Sequence, residues 1–146
     1  MGFELRRRWG GQPLWARWVR AVHLIGFLEG FCAHVLDLAR GGIHAYASFP
    51  GPLQVFFVSL VFLDPLVAVL VGLVRREGGR LAGAVMVLDV SGNWWANRHW
   101  LQDDPAKLVW LLPITFFGLF VVAFMVPLRR TVAVMTSKPR TVAPSA

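Results

Sequence analysis

The sequence predicts an all-α integral membrane protein, a bundle of four transmembrane helices. Three observations predict it. Apolar residues make up 56% of the chain and charged residues only 16%, and the mean hydropathy is +0.56, a balance foreign to soluble domains. The apolar residues gather into four runs of about 20 residues, the length that crosses a ~30 Å hydrocarbon core. The 15 Lys and Arg against 8 Asp and Glu flank those runs. Basic residues placed so set orientation in a bilayer; a nucleic-acid surface is the poorer reading.

Residues 1–18, MGFELRRRWGGQPLWARW, read as a basic, Trp-rich cytoplasmic segment. Its Gly and Pro interruptions, and the lack of a small-residue cleavage site after the first apolar run, argue against a cleavable signal peptide. The transmembrane domain covers 19–128. Span one is Val19–Ala39, and RGGIHAYASFPGP connects it to span two, Leu53–Val74. The turn RREGGR leads to span three, Leu81–Leu101, and QDDPAK to span four, Leu108–Leu128. Residues 129–146, RRTVAVMTSKPRTVAPSA, read as a basic disordered tail.

Charge orients the spans. Arg6, Arg7, Arg8, Arg17 and Arg20 precede span one, Arg75, Arg76 and Arg80 separate spans two and three, and Arg129, Arg130, Lys138 and Arg140 follow span four. Only Arg40, Arg98 and Lys107 fall on the other side. The positive-inside rule then puts both termini in the cytoplasm of a cell membrane. Trp9, Trp15, Trp18, Trp100 and Trp110 suit the interfacial belts.

The informative residues are the polar ones inside the spans. A charged group near the bilayer centre costs ~2.5–3.5 kcal/mol, so such groups face the bundle interior and carry function by default. Span one, VHLIGFLEGFCAHVLDLA, holds four ionisable groups. At about 100° per residue, with His23 at zero, His34 falls near 20°, Asp37 near −40° and Glu29 near −120°. Gly26 and Gly30 share the stripe and leave room for a helix or ligand. Span two carries Asp64 before Pro65, where proline bends the helix and frees a carbonyl. The alternatives there are a locally satisfied kink and a cavity-lining acid.

Span three reads VLDVSGNWWANRHW, with Asp89, Asn93 and Asn97 spaced by four and Trp100 returning to their face. This suits a polar pocket walled by Trp94, Trp95 and Trp100, or else interhelical hydrogen bonds that hold the bundle. Span four offers Thr115 and otherwise an apolar wall.

Other chemistries fit poorly. His23 and His34 share one helix, and His99 lies near the opposite surface, so haem ligation is not expected. No HExxH-like spacing supports zinc. Cys32, the only cysteine, is expected to be a packing residue. No metal and no cofactor are expected.

A carboxyl in an apolar, low-dielectric site holds its proton more tightly and can act as an acid. Protonation of an alkene, shielding of the carbocation by ring faces and removal of a proton elsewhere would complete an isomerisation or cyclisation. Glu29 is the expected proton donor, with His34, Asp64, Asp89 and Asn93 as further catalytic groups. His23, Asp37, Trp94, Trp95, Asn97 and Trp100 are expected to bind the substrate, a hydrophobic isoprenoid, sterol-like or polyene molecule entering from membrane lipid. The competing classes are a non-catalytic binder of a lipid or amphiphile and a proton-coupled carrier through Glu29, Asp64 and Asp89. No nucleic acid is expected, and the pattern leaves room for a homodimer.

The order of these motifs resembles the emopamil-binding-protein (EXPERA) family. VHLIGFLEGF stands where the family's isomerases carry a His-Leu and a following Glu-Gly. FLDPLVAVLVGLVRR is similar to the Pro-Leu helix that closes on a basic pair, and SGNWWAN lies where a Gly-Asp precedes aromatics. The resemblance covers 20–130 and implies a four-span fold with either double-bond isomerisation or ligand binding. There are departures. His23 and Glu29 are six residues apart rather than one turn, with Ile25 at the histidine position. Phe56 lies near the place of an early span-two acid, and Asn93 replaces an aspartate. Span four lacks the family's cavity Asn and Trp.

Overall fold

The computed structural model describes residues 2–137, and all its regular elements are helical. They are α1 (Gly2–Gly10), α2 (Leu14–Gly41), α3 (Gly51–Gly72), α4 (Arg76–Asp103) and α5 (Leu112–Ser137), with short 3-10 turns at Gly42–His44 and Pro105–Trp110. By length and composition three segments are apolar enough to cross a membrane: Leu14–His44, Gly51–Gly72 and Leu112–Ala133. α4 has the length but not the composition: Asp89, Asn93 and Asn97 interrupt its apolar stretch, and its charged residues Arg76, Glu77, Arg80, Arg98 and Asp103 lie toward its ends.

The helices begin and end beyond the expected spans for local reasons. α2 starts directly after Pro13, a residue suited to the helix entrance. It stops at Gly42, whose φ of 59° turns the chain while its N–H still bonds the Leu38 carbonyl. α3 ends in a tight turn that puts Val74 at φ 57°, a left-handed conformation usually left to glycine. The expected RREGGR turn shrinks to Leu73–Arg75, and Arg76 already opens α4. α5 continues through Arg129 and Arg130 to Ser137, and the rest of the expected tail, 138–146, lies outside the described residues.

α2, α3, α4 and α5 form a ring in which α2 packs on α3, α3 on α4 and α4 on α5, while α2 and α5 touch sparingly. Lipid tails are as apolar as Leu, so helices apolar enough to cross a membrane associate through close packing and polar bonds. The α4–α5 seam shows it. Gly79 and Gly83 form a small-xxx-small pair filled from inside the chain. A β-carbon at Gly83 would sit 2.5 Å from Met125 Sδ, and one at Gly79 3.5 Å from Arg129 Cγ. The core runs through Phe27, Phe57, Leu60, Val67, Val85, Met86 and Val121.

At the basic end α1 is clasped onto the bundle. Trp9 Nε1 donates to the Gly72 carbonyl at 2.8 Å. Arg20, only 2% exposed, donates through Nε to Gln12 Oε1 (2.7 Å) and through Nη1 to the Val71 carbonyl (3.4 Å). It thus sits against the C-terminal end of α3, where the helix dipole favours a cation.

Candidate functional site

A cavity of about 440 Å³ lies inside the ring, toward the end opposite the basic clasp. α2 contributes Gly26, Phe27, Glu29, Gly30, Ala33, His34 and Asp37; α3 contributes Phe57 and Asp64; α4 contributes Met86, Asp89 and Asn93. Tyr46 and Phe49 come from the α2–α3 connector, and Trp110, Pro113, Ile114 and Phe117 from α5 and the turn before it. The exposed members, Glu29, Ala33, Asp37, Trp110 and Pro113, all sit on the α2 and α5 sides. The mouth therefore lies between the two helices that touch least.

Two glycines make the space. At Gly26 the Phe117 ring occupies the position of a β-carbon, and this contact closes the cavity toward the basic end. One turn further on, a β-carbon at Gly30 would lie 3.0 Å from Asp64 Oδ2. The bare backbone there admits a carboxyl group from the facing helix.

The polar lining is ordered by hydrogen bonds. The Tyr46 hydroxyl donates to Asp37 Oδ2 at 3.1 Å and stands 2.9 Å from His34 Nδ1. A phenol has one proton, so with that proton given to Asp37 its oxygen accepts from His34 Nδ1–H. In the neutral ring Nε2 is then the bare nitrogen, and it faces Asp64 Oδ2 at 3.9 Å, just beyond hydrogen-bond length. Asp37, Tyr46, His34 and Asp64 thus form one line from the mouth to the inner wall. On α4, Asn93 Nδ2 donates to Asp89 Oδ1 at 2.9 Å and to the Asp89 carbonyl at 3.0 Å, which fixes the Asp89 carboxyl. Asp64 and Asp89 are 4% and 7% exposed.

Tyr46 lies outside the spans and is buried against Phe49 and Phe57, with ring centroids 6.1 and 5.3 Å away. Burial pushes its phenol well above the usual value near 10, and the charge and hydrogen bond of Asp37 push it further the same way. It serves at neutral pH as a fixed donor and acceptor.

Of the residues expected to share one chamber, Glu29, His34, Asp37, Asp64, Asp89 and Asn93 do. Glu29, the expected proton donor, is exposed at the mouth, because it lies on the flank of the α2 stripe. Five others do not line the cavity. His23 is fully buried nearer the basic end, its ring 5.4 Å from Phe120 and its Nδ1 2.8 Å from the Val19 carbonyl. Gly26, one turn further along α2, and Phe117 line the cavity, and His23 does not. Asn97 donates to the Asn93 carbonyl at 2.9 Å. Trp94 Nε1 reaches across to Thr115 Oγ1 at 3.0 Å, tying α4 to α5. Trp95 lies under the Arg98 guanidinium at 4.2 Å, and Trp100 under the Lys107 ammonium at 4.9 Å. The drift of about 40° per four residues carries the end of α4 away from the chamber.

The aromatic wall comes instead from Phe27, Tyr46, Phe49, Phe57, Trp110 and Phe117. Tyr46 was the residue sequence reasoning passed over. Its signal was slight: the sole tyrosine, just past the Gly41–Gly42 break. Among the described residues no Lys or Arg lines the cavity, so its four carboxyl groups face rings, one imidazole and one amide. That combination suits a positive charge, whether formed in a reaction or carried by a ligand. No His/Cys/Asp/Glu group among the described residues is arranged to hold a metal. No family model, no curated protein and no solved structure matches the chain.

Proposed function

We propose that this protein is a cofactor-independent isomerase or cyclase of a hydrophobic alkene, working inside the bilayer. One observation carries the reading: carboxyl groups from three elements and six aromatic rings meet in one cavity that no Lys or Arg among the described residues lines. Asp64 is the proton donor, in place of Glu29, because it is buried beside His34 Nε2. The proton adds to one alkene carbon, and Phe57, Phe117 and Trp110 present ring faces to the resulting carbocation. Asp89, held by Asn93, removes a proton from a neighbouring carbon, so the double bond shifts and no proton is consumed overall. The proton now held by Asp89 returns to Asp64 by way of His34, whose bare Nε2 takes it up and passes it to the facing carboxylate while Tyr46 and Asp37 hold the ring.

The membrane frame belongs to this proposal. α4 is span three and completes the set of four, its 28 residues giving roughly 42 Å of helix, with its polar face turned to the cavity. Both termini face the cytoplasm of a cell membrane, and substrate enters sideways between α2 and α5. The resemblance of its motifs to those of the EXPERA family is in keeping with the same reaction type.

A second reading has its own support. Four carboxyl groups exceed what one proton exchange needs, and the excess suits a receptor that holds a cationic amphiphile. Deuterium oxide separates the two. Purified protein incubated with the lipid extract of its own membranes should place a single deuterium on one hydrophobic species, seen by mass spectrometry, and Asp64→Asn should abolish that label. Retention of a lipid with no label in wild type would overturn the enzyme and favour the receptor.

A further inference from the structure

On the outer face of the bundle a groove of about 560 Å³ runs between α4 and α5, apart from the cavity. Ala84, Val87 and Leu88 from α4 and Val122 from α5 give it exposed aliphatic walls. Arg80 and Arg129 stand together at one end. They come from facing helices at one depth, since the Arg129 stem crosses Gly79, the residue before Arg80. Neither guanidinium has an acidic or hydrogen-bonded partner among the described residues.

We propose that this groove is a seat for one anionic phospholipid. Two guanidinium forks at one level match the oxygens of a phosphate and its anionic headgroup. A zwitterionic lipid brings an ammonium to the same place, where two arginines repel it. From Arg80 to Leu88 the wall climbs eight residues, roughly 12 Å, close to the depth of one leaflet of a ~30 Å core. An acyl chain can therefore lie along Ala84, Leu88 and Val122 while its phosphate stays at the interface. The proposal rests on α4 and α5 crossing the membrane, and it is independent of the chemistry assigned to the cavity.

The test uses the full chain in nanodiscs of phosphatidylcholine and phosphatidylglycerol in equal parts, released and weighed by native mass spectrometry. Wild type should retain phosphatidylglycerol in preference to phosphatidylcholine. The double variant Arg80→Gln, Arg129→Gln should lower that preference by roughly tenfold or more. Ala84→Phe, which fills the groove from its open side, should displace the lipid with both arginines intact. Arg130→Gln, a neighbouring exposed arginine, and Asp64→Asn should leave retention unchanged, so failure of the cavity reading would not disturb this result. Circular dichroism of each variant separates a lost seat from a lost fold. Equal retention of the two lipids by wild type, or unchanged preference in both folded groove variants, overturns the proposal. So does a dimer mass that those variants abolish, since the groove would then hold a second copy of the chain.

Discussion

Asp64 occupies the space that a side chain on Gly30 would need, with its Oδ2 3.0 Å from the position of a β-carbon there. The acid of one helix and the glycine of the next are thus a matched pair, and neither is explained by its own span alone. Pro65 follows the acid inside α3 and leaves that stretch one backbone bond short.

This pairing makes Gly30→Leu a selective change. Leucine gains helix propensity of about 0.5–1 kcal/mol over glycine, its β-carbon displaces the Asp64 carboxyl by a few tenths of an ångström, and its branches enter the cavity. The variant should fold, with helical content unchanged by circular dichroism. Its cavity should no longer hold a ligand, read as loss of the co-purifying hydrophobic species by mass spectrometry. An unchanged lipid profile would count against the cavity as the binding site.

Gly26 and Phe117 should be energetically coupled. The ring lies where a β-carbon would go, so Gly26→Val should overpack the α2–α5 contact and cost about 1–3 kcal/mol in thermal unfolding. Phe117→Ala in the same chain should recover much of that loss, giving a coupling of about 1 kcal/mol or more. Additive losses would mean that the two helices do not meet there.

Tyr46 can be titrated by itself, because it is the only tyrosine. Its folded pKa is raised above the unfolded value near 10. The unfolded chain therefore loses this proton first as pH rises. The stabilisation is complete below about pH 10 and is lost progressively as pH climbs toward the folded value. Phenolate absorbance of the folded protein should appear only above the ordinary tyrosine range, and denaturant should bring it back to about 10. Tyr46→Phe should remove this pH dependence. It should also cost about 1–2 kcal/mol, because His34 and Asp37 lose a shared partner.

The acids should differ in importance by position. Asp64→Asn should lower deuterium incorporation by about 10²–10⁴-fold, the usual size of a lost general acid. Glu29→Gln, at the exposed mouth, should cost less than about tenfold. A reversed order would return the donor role to Glu29.

The all-helical class was legible because about 20 apolar residues in a row have few other uses. Four of the polar cavity residues were legible because helical periodicity places His34 and Asp37 on one stripe with Gly30, and Asp89 and Asn93 on another; Asp64 and Glu29 were legible as isolated acids inside apolar runs. The tryptophans misled. Trp94, Trp95 and Trp100 are near Asn93 in sequence, yet their partners are Thr115, Arg98 and Lys107. His23 lies on the same stripe as His34, but stripe angle says nothing of depth, and His23 does not line the cavity.

The amino-acid sequence by itself determined that the four apolar runs are helical and which of their faces are polar, because both follow from side chains a few residues apart; α1 and the extension of α5 to Ser137 were not read from it. Only the tertiary structure decided which polar groups meet. Tyr46 joins His34 to Asp37 because a glycine turn folds the connector back. Asp64 reaches His34 because Gly30 leaves it room. Such meetings depend on helix depth and rotation, which are set by packing between segments distant in the chain.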